Sequence, residues 1–184
     1  MQTQMHPFDH YFYDRGSGSS STTTATNSSS STTARNYTVD RYLDDATARY
    51  GGLDAALVWP SYLNLGVDDR NPFDMFRALP GGLDGVARFV AALRARGVSV
   101  LFPYAYLAWD TGTRREGVRD EEAVVALLRR AGAQGINGDS IPFVPRSFWD
   151  ASVAAGYPIA LQTEGGASDA ALGWSTLGWG YWGR

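Results

Sequence analysis

Two carboxylates stand directly behind short apolar runs in this chain. Asp139 lies in Gly135-Ile136-Asn137-Gly138-Asp139-Ser140, and Glu164 in Gln162-Thr163-Glu164-Gly165-Gly166. A strand that ends in Asn and Asp beside glycine is a common way to present a carboxylate to a substrate. On adjacent strands the two carboxyl groups would lie roughly 5 to 9 Å apart, the separation at which paired carboxylates cleave a glycosidic bond. Asn137, two residues before Asp139 on the same strand face, has the chemistry to bond a hydroxyl. A competing reading makes Asp139 or Ser140 the cap of the next helix. Pro142 and Pro145 weaken it by moving that helix start several residues on. Glu164 is isolated, since the other three of the four glutamates are Glu116, Glu121 and Glu122. Its competing role is to pair with an arginine or orient a ligand hydroxyl.

Aromatic and acidic side chains follow two earlier apolar runs. Trp59 and Tyr62, then Asp69 and Arg70, succeed the first; Tyr104, Trp109 and Asp110 succeed the second. An aromatic ring covers the apolar face of a sugar while carboxylates and amides bond its hydroxyls, so these are candidate substrate-binding residues. The alternative for Asp69 and Arg70 is a structural ion pair or turn.

Composition removes other chemistries. All 16 basic residues are arginine, which excludes lysine Schiff bases and the phosphate-loop lysine. There is no cysteine, hence no disulfide, thiolate nucleophile or Cys-ligated metal. The two histidines, His6 and His10, flank Pro7, which argues against a shared helical face, so no metal and no cofactor is expected. A net charge of −3 gives no reason to expect nucleic acid or anionic lipid as a partner. No apolar run is long enough to span a bilayer, and the first residues lack the charge and apolar pattern of a signal peptide; compartment stays open.

The elements that must position these residues are written as a cadence. Four helix-patterned segments stop at glycine, at Tyr50-Gly51, Arg96-Gly97, Ala131-Gly132 and Ala155-Gly156, each followed by a short apolar strand. The predicted strands are 55–59, 98–102, 135–136 and 159–161. The helix over 39–50 presents Tyr42, Leu43, Ala46 and Tyr50 on one face, and the next carries a Leu83, Val86, Phe89, Val90, Leu93 stripe. A third, 120–131, opens on Asp120, Glu121 and Glu122 and closes on Arg129 and Arg130, matching the helix dipole at both ends. The fourth begins near Pro145. Continuously apolar strands between helices imply a parallel sheet covered on both faces.

The predicted organisation is an N-terminal aromatic segment (1–15), a disordered Ser/Thr-rich tract (16–36, most biased over 16–33) and a barrel-like domain (37–184). The fold class is α/β, a partial (β/α)8 TIM barrel of about four to five parallel βα units. From about Tyr37 on, LVWPSYLNLGVDDRNPFD, LFPYAYLAWDTGTR, INGDS and LQTEGG resemble a group of TIM-barrel proteins that look like glycoside hydrolases of the α-galactosidase (melibiase) type. The resemblance implies a nucleophilic carboxylate at the end of the fourth strand, for which Asp139 is the matching position. The chain departs from that pattern: Asn137 stands where the family usually has Lys, Trp59-Pro60 replaces an Asp pair, and the usual general acid would fall beyond Arg184. The expectation is therefore a carbohydrate-acting hydrolase fragment, with an inert carbohydrate-binding or scaffold fragment as the alternative. Its expected partners are a sugar and either the missing half of the barrel or another copy of the chain.

Overall fold

The computed structural model describes residues 1–14, 37–60, 70–104, 116–139, 141, 144–165 and 168–178. Six parallel strands alternate with helices and curl into a half-barrel: β1 (Gln2–Met5), β2 (Ala55–Val58), β3 (Ser99–Pro103), β4 (Gly135–Gly138), β5 (Ala160–Thr163) and β6 (Leu177–Gly178). Their order in the sheet is their order in the chain, as successive βα units require. The helices are α1 (Val39–Tyr50), α2 (Pro72–Arg77), α3 (Gly82–Ala95), α4 (Asp120–Ala131) and α5 (Arg146–Ala154). Among the described residues no helix is long and apolar enough to cross a membrane.

The glycine cadence has a backbone cause. Gly51, Gly97, Gly132 and Gly156 all have positive φ, between 65° and 81°, so each helix ends in a left-handed turn that redirects the chain toward the next strand. The sheet is nonetheless larger than the sequence pattern indicates. The N-terminal segment supplies a whole strand, with Gln2 to Met5 pairing in register with Ala55 to Val58. Leu177 and Gly178 add another on the far side. The long stretch between β2 and α3 holds α2. Its signal was present: Asn71 caps Asp74, Asp74 returns the bond to the Asn71 backbone, and Pro72 takes the first helical position.

Register divides every strand into two faces. One row, Phe102, Ile136 and Leu161, lies level across β3, β4 and β5, and with Ala56, Val58 and Val100 it packs under the helices. Val86, Phe89, Val90 and Leu93 of α3 and Leu128 of α4 meet that layer, all essentially inaccessible to water. Phe76 of α2 stacks on Phe102 with ring centroids 4.0 Å apart. The close fit of α3 depends on Gly85, where a Cβ would come within 2.2 Å of the Pro80 carbonyl oxygen. The opposite row, Gln4, Leu57, Leu101, Gly135 and Ala160, faces the concave side. There Leu57, Trp59 and Leu101 form a separate small apolar cluster.

The residues that flank 15–36 meet at a neck. Tyr13 and Tyr37 form an antiparallel bridge with rings 5.4 Å apart, and the Thr38 backbone N–H donates to the Phe12 carbonyl. Phe12, with no exposed surface, anchors the neck edge-on against Tyr42 and Phe89. Because the neck closes on its own contacts, the connection can be shortened at small cost. Replacing residues 15–36 with an Asn-Gly turn should leave the thermal midpoint unchanged or raise it by about 1–3 °C, read by circular dichroism. A loss of the cooperative transition would show that the tract itself contributes to folding.

Candidate functional site

The residues just before Asp139 and Glu164 are level with each other. Gly138 of β4 pairs in register with Thr163 of β5, and each carboxylate is the next residue along. Asn137 and Gln162 also pair, and Asp139 and Glu164 are both half-buried. Neighbouring strands lie about 4.8 Å apart, so the two side chains spring from adjacent points on the C-terminal rim of the sheet.

The helix-capping alternative for Asp139 is not what the structure has. Pro145 occupies the cap position of α5, with no side-chain cap bond. Gly138 serves a local purpose: a Cβ there would meet Ile141 Cδ1 at 2.7 Å, so glycine lets the chain fold back over the strand end. The same turn is held by the Ile141 N–H donating to the Gly138 carbonyl at 3.3 Å. On the next strand the Thr163 hydroxyl donates to the Gly165 carbonyl at 2.9 Å, shaping the turn that follows Glu164.

Beneath the two carboxylates lies a chain of amides. Asn137, with no exposed surface, donates through Nδ2 to Gln162 Oε1 at 3.1 Å. Gln162 and Gln2 exchange a reciprocal pair of hydrogen bonds at 3.0 and 3.1 Å although 160 residues apart in sequence. Curling of the sheet is what brings β1 within reach of β5. Sequence reasoning placed Asn137 at the site but passed over Gln162 and Gln2. The spacing of Gln162 from Glu164 matches that of Asn137 from Asp139, which was a usable signal. Nothing local marks Gln2.

The remaining sequence-predicted residues are dispersed. Trp59 is inward, 3% exposed, and packs on Leu57 and Leu101, so it forms a wall under the rim. Tyr104 has the parity of Phe102 and turns the other way: it is buried in the helix-facing core, its ring 5.3 Å from that of Phe148 and its hydroxyl donating to Asp120. Asp120 is held above the ordinary carboxylate range, first by burial and then by the neighbouring Glu121 charge. Arg70 is exposed just before the α2 cap. Tyr62, Asp69, Trp109 and Asp110 lie outside the described residues.

The connection that carries Trp109 and Asp110 is tied at its far end. Glu116 accepts two hydrogen bonds from Arg77 of α2, at 2.7 and 2.6 Å, and Arg77 also reaches Asp74 of the α2 cap. This fork of parallel bonds joins the approach to α4 with α2, so both long rim connections share one anchor.

No family model matches the chain, and no curated protein does. Among solved structures it is similar to a noncanonic maltogenic alpha-amylase, AmyB, from Thermotoga neapolitana, with 14% identity, a TM-score of 0.40, and coverage of 68% of this chain and 42% of that one. It is also similar to pullulanase type I from Bacillus subtilis complexed with maltose, with 13% identity, a TM-score of 0.46, and coverage of 90% of this chain and 31% of that one. The chain thus spans less than half the length of either. The class that the strands themselves define is a partial α/β barrel.

The Arg77 anchor gives a pH-dependent prediction. The Glu116 carboxyl is pulled below its ordinary value near 4.5, chiefly by its hydrogen bonds to Arg77. A carboxylate with a lowered folded-state value stabilises the fold above its unfolded value and loses that contribution as pH falls through the folded one. The pair is partly exposed, so Glu116→Gln should cost only about 0.5 kcal/mol at pH 7, or roughly 1–2 °C in the thermal midpoint. The two melting curves should converge as pH falls below the ordinary glutamate value and through the lowered folded one. A gap that persists at low pH would mean that Glu116 acts through packing rather than charge.

Proposed function

We propose that this chain is a glycoside hydrolase-like protein that acts on carbohydrate through Asp139 and Glu164. The observation that supports the reading is register: Gly138 and Thr163, the residues just before the two carboxylates, pair on adjacent strands. From neighbouring strands their side chains reach the separation at which one carboxylate attacks or stabilises an oxocarbenium-like centre while the other moves the proton. Asp139 takes the first role, on the resemblance to α-galactosidase-type barrels, and Glu164 supports it. Trp59 walls the site, and Trp109 and Asp110, with Tyr62 and Asp69, supply sugar contacts from the two long connections. The edges of β1 and β6, each paired on one side only, are where strands from another segment or copy join in a completed barrel.

The inert-binding alternative is favoured by the amide-rich concave face, where Asn137, Gln162 and Gln2 are side chains of the kind that bind sugar hydroxyls without catalysis. A panel of aryl glycosides, beginning with α-galactosides, set against binding of the same free sugars separates the two. In a barrel-complete, active form Asp139→Asn should lower kcat by at least about a hundredfold while KM and thermal midpoint change little. Trp109→Ala should act mainly by raising KM. Near-full turnover in Asp139→Asn, or sugar binding with no turnover by the unaltered protein, would overturn the enzymatic reading.

A further inference from the structure

We propose that Gln162 is a positioning residue that fixes the Asp139-bearing end of β4 against the Glu164-bearing end of β5, with Gln2 of β1 as its brace. The inference rests on the carbohydrate-acting reading for its functional meaning, but its geometry stands apart from it. Gln162 Oε1 accepts from both Asn137 Nδ2 and Gln2 Nε2, so both lone pairs of this oxygen are engaged. Its Nε2 donates back to Gln2 Oε1. A single side chain therefore ties three strands together, two of which carry the carboxylates.

Packing does not fix Asn137 from below. The inward residue two positions earlier on β4 is Gly135, where a Cβ would come within 2.4 Å of the Ala160 carbonyl oxygen, so no side chain can support Asn137 there. Its Oδ1 has no hydrogen-bond partner, leaving the bond to Gln162 as the polar contact that sets its amide plane. Asn137 and Gln162 are 0% and 5% exposed, respectively, a setting in which a hydrogen bond is strong and its loss costly. Gln2, by contrast, is on the exposed edge strand, so it can be changed without opening the core.

The decisive variant is Gln2→Leu, because Gln2 lies on β1, four places from β5 in the sheet, and its described side-chain link toward β4 runs through Gln162 and Asn137. By two-dimensional NMR, the backbone amide resonance of Asp139 should move in Gln2→Leu and move further in Gln162→Leu. On an active form, Gln162→Leu should lower kcat about tenfold or more with KM within about twofold. Replacing both Asn137 and Gln162 with Leu removes donor and acceptor together and should return the thermal midpoint toward the unaltered value. It should leave kcat low.

An Asp139 amide that stays in place in both single variants would overturn the proposal. So would a double variant that regains kcat together with stability, since that is what mere packing would do. Should Gln162→Leu not fold, Gln2→Leu is read alone by the same criterion. If the unaltered protein turns over no glycoside, the functional reading fails, and the Asp139 resonance in Gln2→Leu still decides whether Gln162 positions the strand end.

Discussion

The two-residue repeat of a parallel strand is the constraint on which this structure depends. Once six strands are aligned in register, every second residue is committed to the helix layer and every other to the concave side. Phe102, Ile136 and Leu161 accept the first assignment and build the core with α3 and α4. Leu101, Asn137 and Gln162 accept the second. A slip of one residue in any strand would exchange the two sets, burying an amide under a helix and turning a core side chain toward the concave side. The burial of Phe102 and Ile136 therefore also bears on where the strand ends before Asp139 and Glu164 emerge.

Much of this was legible because glycine and apolar runs are strong local signals. The four helix stops were readable from Gly51, Gly97, Gly132 and Gly156, since a left-handed turn there has few other solutions. Helices α1 and α4 have the bounds that pattern and end charges predict. The first and last strands were missed for a physical reason: Gln2 to Met5 is polar on its inward positions, and Leu177-Gly178 is only two residues long. Neither has the apolar continuity that marks a doubly covered strand.

The site was legible only in part, and parity explains which part. Asp139 and Glu164 follow strands whose register could be guessed, and the residues just before them, Gly138 and Thr163, pair across β4 and β5. Tyr104 was grouped with them because it also follows a strand. Yet β3 runs to Pro103, which gives Tyr104 the helix-facing parity and a buried hydroxyl on Asp120. The Gln2 to Gln162 contact could not be read at all, because it is a product of sheet curvature and leaves no trace in the neighbouring residues of either partner.

That contact also sets a timetable. During synthesis β1 emerges first, but its amide partner follows 160 residues later, after four further βα connections have been made. Adjacent strands can pair as they appear, whereas closing so long a loop carries a larger entropic cost and is rewarded only once the curvature exists. Closing the contact between Gln2 and Gln162 is accordingly expected to follow the pairing of adjacent strands. Even then β1 stays an edge strand with Gln2 and Gln4 exposed, polar side chains of the kind that limit unspecific pairing along an open edge.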